Sequence, residues 1–348
     1  MKLKRLWAMV KARNREFFRD RSSFGWNLFF PFLIVVGFGI IFSEDNSNMY
    51  KVGVFPHPDI EINMEFLNVP ESFRETKHLK FIGFKSKEDG LDKLRKQRVD
   101  FLIQTGENPV YWVSESSPKS YIVEQMYRSS LLPYKIENQA LKQEIEGIEY
   151  SYIDWLFPGV LAMNMMFSAL WGVGYIMVRY RKNGVLKRLK ATPLTALEYL
   201  SSQLLSRIFI LMFSLVIVWA GCDLIFDFYI KGSYITIFLI YLVGGASLTS
   251  IGLLVASRGV SEEFTSGILN FFTWPMMFLS EVWFSLEGSP NWVIYLSKLL
   301  PLTHINNAVR RVMIDGANLI DVSKELIVLV VITSVCLAVG SKLFSWNR

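Results

Sequence analysis

Runs of apolar residues recur along the chain at 24–42, 157–178, 208–225, 234–256, 266–283 and 326–343. Each is about 18 to 23 residues long, the length a helix needs to cross a hydrocarbon layer roughly 30 Å thick. Arg207 borders the third run and Pro275 interrupts the fifth. The pattern predicts a membrane α-helical bundle of six transmembrane helices. Ahead of the first span (23–43), residues 1–22 predict a separate helix. There Leu3, Leu6, Trp7, Val10 and Phe17 recur among bases at helical spacing, the stripe of a helix lying on a membrane surface. The same residues also suit a cytosolic extension of the first span.

Between the first two spans, residues 44–154 change period. Stretches rich in β-formers at 51–55, 79–84, 99–104 and 110–113 alternate with a charged helical stretch at 87–97. Residues 117–150 read as mainly helical, broken near Pro133. A small α/β domain is predicted, and about 110 residues suffice for one. Farther on, Ser168 with Gly172 and Gly245 with Thr249 are small residues four apart, a spacing that lets membrane helices approach closely.

Charge adds an orientation. Eight Lys/Arg precede residue 22 against Glu16 and Asp20, and six more lie between Arg179 and Lys190 with no acid among them. Residues 43–154 carry more acids than bases. By the positive-inside rule, the N-terminus, the loop 179–197 and the C-terminus are cytoplasmic and the α/β domain is extracytoplasmic. Topology thus accounts for the net charge of +6, and no nucleic-acid partner is called for. A mean hydropathy of +0.30 agrees with a membrane protein. The first apolar run is expected to stay in place: Ile40, Ile41 and Phe42 stand where a signal-cleavage site would need small residues. Cys222 and Cys336 lie in or beside spans, so no disulfide framework is expected.

Little here resembles an enzyme. No Gly-Lys-Ser/Thr phosphate loop occurs, and His57, His78 and His304 have no zinc-site spacing. The chain is expected to hold no cofactor and to borrow its energy from a partner.

Three stretches carry a resemblance. Phe157-Pro158-Gly159-Val160 opens the second span, with proline suited to a first helical turn. Residues 181–194 include Gly184-Val185-Leu186-Lys187-Arg188-Leu189 and Thr192-Pro193-Leu194. Here Leu186 and Leu189 would form an apolar ridge flanked by Arg188 and Lys190, and Pro193 would end the helix. The third stretch runs from Trp274-Pro275 through Ser280-Glu281-Val282-Trp283-Phe284 to Pro290-Asn291-Trp292 and Pro301-Leu302-Thr303. Together these resemble the type-2 permease family of ATP-binding-cassette exporters, multidrug type, with an extracytoplasmic domain. Two departures stand out: Tyr180 and Lys182 replace acids common before the glycine, and Glu281 replaces a glycine. A carboxylate near a span end is costly unless solvated or paired. Glu281 is therefore either functional or in water at the outer interface.

The resemblance implies a re-entrant hairpin after the fifth helix, over residues 281–310. It implies coupling to ATPase subunits, two per complex, through Gly184, Leu186, Arg188, Leu189 and Pro193 and through the interface helix. ATP and Mg would be bound by those subunits. A second permease, identical or paralogous, would complete the path in a bacterial inner (plasma) membrane, among its lipids. Asn164, Asn270, Pro275, Glu281, Trp283 and Phe284 are the candidates for the path or its outer gate. The aromatic- and Met-rich bundle suits amphiphilic or drug-like cargo, with lipids or glycolipids as the alternative. A membrane-anchored sensor reading an external ligand is the rival from another class, although it lacks a long cytosolic output segment.

Overall fold

The computed structural model describes residues 3–43, 50–56, 69–96, 98–105, 109–115, 117–131, 151–257 and 261–346. The chain divides into two compact units, Phe42–Ile148 and the remainder.

The smaller unit is a four-stranded sheet of β1 (Tyr50–Phe55), β2 (Leu79–Gly83), β3 (Phe101–Gln104) and β4 (Val110–Trp112), in the order β2-β1-β3-β4. β1 runs parallel to β2 and β3, with Val52 opposite Phe81 and Phe101, and β4 is antiparallel to β3. Helices α3 (Glu71–Arg74), α4 (Lys87–Arg95) and α5 (Pro118–Ser130) complete it. Both sheet faces are covered, so the central strands are buried at consecutive positions, Val52–Phe55 and Phe101–Ile103, rather than at alternate ones. Val52, Val54, Phe101 and Ile103 pack with Phe73, Val123 and Tyr127 on one face. Phe55, Phe84 and Leu102 pack with Leu94 and Val99 on the other. Ser86 and Ser117 accept the capping N–H bonds that start α4 and α5. The helix read over 117–150 is described only to Ser130, and Pro133 lies outside the described residues.

The larger unit is helical. It comprises α1 (Leu3–Arg19), α2 (Arg21–Ser43), α6 (Tyr152–Lys182), α7 (Val185–Lys190), α8 (Ala196–Phe226) and α9 (Tyr234–Ser257). These are followed by α10 (Glu262–Leu279), α11 (Asn291–Ser297), α12 (Pro301–Arg310), which runs on into a wider turn at Arg311–Asp315, and α13 (Ser323–Leu343). Among the described residues, α6, α8, α9 and α13 are long and apolar enough to cross a membrane. The pair α1–α2, bent by 65°, makes a fifth if taken as one span. The architecture is a membrane helical bundle with four to five such helices.

Helix starts differ from the hydropathy runs because caps, not apolar residues, set them. Ser151 and Asp154 form a reciprocal capping box that starts α6 at Tyr152. Pro158 is therefore inside the helix, not in its first turn. Thr195 and Glu198 do the same for α8, which draws Arg207 from the border of a span into a helix interior. The fifth run ends early: α10 stops at Leu279 and Glu281 turns left-handed at φ 55°.

The core runs along α6, which packs against α9, α10, α12 and α8. Gly252 on α9 brings its backbone against α6, where a Cβ would sit 3.1 Å from the Leu170 carbonyl oxygen. α13 packs on α9 but leaves Ile327, Val330, Val331 and Val335 exposed, as a helix facing lipid would.

Candidate functional site

The basic loop follows α6. Gly184 has φ 71° and open space around its Cβ position, so the left-handed turn, not crowding, calls for glycine. The six-residue α7 then lies flat against the bundle. Leu186 is fully buried with Val173, Met177, Tyr199 and Leu253, and Leu189 packs half-buried on the same cluster. This corrects the outward ridge: a short amphipathic helix turns its leucines to the core, leaving Lys187, Arg188, Lys190 and Pro193 exposed. The helix ends at Lys190, ahead of Pro193, whose carbonyl accepts from Arg5 Nη1 at 2.5 Å.

α1 packs on α8 through Leu6, Val10, Arg13 and Phe17, all buried. Trp7 is 66% exposed and lies off that face, a second correction; the Leu3 side chain is outside the described residues. The stripe includes a charge because Arg13 finds partners. Its Nη1 donates to Glu16 at 2.8 Å and to the Tyr180 hydroxyl at 2.9 Å, and its Nη2 donates to the Gly172 carbonyl at 3.0 Å. Tyr180 also donates to Glu16. At the same end, Arg181 donates to the carbonyls of Ala256, Ser257 and Ser345, at 3.2, 3.1 and 3.2 Å. Phe344 and Trp346 flank the Tyr199 ring. α1, the basic loop and the segment after α13 thus share one cluster.

At the opposite end, the turn after α10 is knitted to α12 and α6. Thr303, Asn306 and Arg310, three and four apart on α12, all reach it. Thr303 donates to Ser280 Oγ at 2.9 Å and Asn306 donates to the Ser280 carbonyl at 2.7 Å. Arg310 donates through Nη2 to the Glu281 carbonyl at 2.6 Å and through Nε to the Trp155 carbonyl at 3.0 Å. Its guanidinium lies 3.6 Å from the Trp155 ring centroid. The Glu281 carboxylate is 3.9 Å from Arg310 and accepts the Leu286 N–H at 3.0 Å. Glu281 is thus paired and half-buried, which corrects the reading of a carboxylate standing in water. Trp283 packs on Phe38, and its carbonyl accepts from Tyr152 at 2.7 Å; Phe284 is exposed.

The remaining candidates separate. Asn164 is half-buried on α6 and donates to the Asn27 carbonyl at 3.4 Å. Asn270 and Pro275 lie on the exposed side of α10 with Phe271, Trp274 and Phe278. In the sequence Arg13 and Arg181 stand only among the bases that set topology, and Arg310 carries no signal. Arg207 stands there only as a border, although an arginine within an apolar run is a signal in itself. Among the described residues no group of three His, Cys, Asp or Glu is placed to hold a metal ion.

The family described as "ABC-2 family transporter protein" matches residues 21–342. "ABC transporter G family member 20" of Dictyostelium discoideum is 25% identical over 170 residues, covering 48% of this chain and 23% of that protein. The "Probable multidrug ABC transporter permease YbhR" of Escherichia coli (strain K12) is 23% identical over 188 residues, covering 54% of this chain and 50% of the relative. The chain thus spans between about a quarter and a half of the curated relatives it matches.

Proposed function

The chain belongs to the ABC-2 transporter family, and from that premise we propose that it is the permease subunit of an ATP-driven exporter. The observation that carries this reading is the basic loop, whose leucines are anchored in the bundle while Lys187, Arg188 and Lys190 face outward. Such a surface suits docking on a separate, acid-faced ATPase, with α1 as the second contact. The multidrug name of one relative and the aromatic- and Met-rich bundle favour amphiphilic, drug-like cargo moved by alternating access.

In this reading α2, α6, α8, α9, α10 and α13 are the six spans, and α11 with α12 forms the re-entrant hairpin. The α/β unit is extracytoplasmic, and both termini are cytoplasmic in a bacterial inner membrane. Two permeases and two ATPase subunits make the complex. Glu281, Trp283 and Phe284 form its outer gate, and Asn164, Asn270 and Pro275 line the path.

Purification from the native membrane in mild detergent tests this. The wild-type chain is expected to bring an ATP-binding subunit in equal amount, with vanadate-sensitive hydrolysis. Reversing Lys187 and Arg188 to Glu is expected to release that subunit without lowering the melting temperature, since both side chains are exposed. A chain that stays alone even after cross-linking would shift the reading to a sensor.

A further inference from the structure

Arg207 on α8 is only 5% exposed, yet nothing among the described residues neutralises it. Its two hydrogen bonds among the described residues both leave Nη2, one to the Ser168 carbonyl and one to Ser168 Oγ at 2.5 Å. Among the described residues the buried Nε has no acceptor and no carboxylate pairs with the guanidinium. The charge acting on it is that of Arg13, another cation, which is itself held by Glu16, Tyr180 and Gly172. A guanidinium cannot shed its proton, and a buried charge without a counter-ion is costly to hold. The fold nonetheless makes room for it, since any Cβ at residue 172 would overlap the guanidinium.

We propose that Arg207 binds the anionic group of an acidic amphiphile at the basic end of the bundle. The ligand class is a carboxylate, sulfonate or phosphate on an apolar body. A surface groove of about 510 Å³ on α1, which Arg207 itself does not line, would seat the apolar body against Trp7 and Phe18. Asn14 also lines the groove and accepts a hydrogen bond from Ser206, the neighbour of Arg207, at 2.6 Å. Beyond Ser168, Asn27 donates to the same hydroxyl at 2.7 Å and has a buried Oδ1 without a donor among the described residues. A neutral polar group on the ligand would satisfy it. The inference rests on the exporter reading for its meaning as cargo selection, while the binding event itself does not depend on it.

The test uses the full chain in nanodiscs of phosphatidylcholine, with a fluorescent long-chain fatty acid and its uncharged amide as probes. The acid is expected to bind at least about tenfold more tightly to wild type than to Arg207→Gln, the range of one buried charge-assisted hydrogen bond. The amide is expected to bind both equally. Arg207→Gln without probe should melt no lower than wild type, because it removes an uncompensated charge. Equal binding of acid and amide to wild type, acid binding unchanged by the substitution, or a melting point lowered by it would each overturn the proposal. Displacement of the acid by added phosphatidylglycerol identifies a bilayer lipid as the natural ligand; resistance to displacement identifies cargo. A chain that never couples to an ATPase yet keeps the acid–amide difference would remove the exporter reading alone.

Discussion

A left-handed backbone costs an L-residue roughly 1 kcal/mol, and Glu281 adopts one at φ 55°. Its carboxylate offsets that cost by accepting the Leu286 N–H. Glu281→Gly is therefore expected to stay within about 1 kcal/mol of wild type, strain relief balancing the lost bond. Glu281→Val, which gains neither, should lose about 2 kcal/mol. Arg310→Ala should lose more, about 2–4 kcal/mol, because it abandons two backbone carbonyls and a carboxylate. Thermal unfolding in detergent ranks the three; an unshifted Arg310→Ala would show that the turn stands without it. The glycine for which Glu281 substitutes was legible in the sequence as a departure, but its conformational reason was not. Arg310 was not legible at all, since the carbonyls it serves lie 29 and 155 positions away.

Among the elements, the contact of α6 with α9 depends on Gly252. Gly252→Leu is expected to lower the bundle's stability by about 2 kcal/mol or more, since the Leu170 backbone cannot yield as a side chain can. Gly267 on α10 has nothing within 4 Å of its Cβ position, so Gly267→Ala should raise stability by about 0.5–1 kcal/mol. Equal melting temperatures for the two variants would refute the close approach. Most helix positions could be read from hydropathy, because twenty apolar residues have few alternatives to a span. Hydropathy placed the helix starts too late, although Ser151 with Asp154 and Thr195 with Glu198 are local signals for them. The inward face of α1 was not. Apolar spacing selects Trp7, whereas packing selects Arg13, whose partner Tyr180 is 167 positions distant. The leucines of α7 were visible, but which way they face depends on Tyr199 and Leu253 on other helices.

At the scale of the molecule, the α/β unit has cores on both sides of its sheet. Residues 42–148 expressed alone are expected to be soluble and to unfold in one cooperative urea transition; a non-cooperative loss of circular dichroism would show dependence on the bundle. The larger unit is organised around α6. Its 31 residues extend for about 46 Å, with Arg310 seated at one end and Arg181 at the other. Arg310 touches the helix on both sides of Pro158, at the Trp155 carbonyl and against Gly159, which splints the point where proline removes a rung. In mechanical terms α6 is a beam built in at both ends. Such a member conveys displacement and stores little of it, so a shift imposed at Gly184 would arrive at the Glu281 turn nearly undiminished.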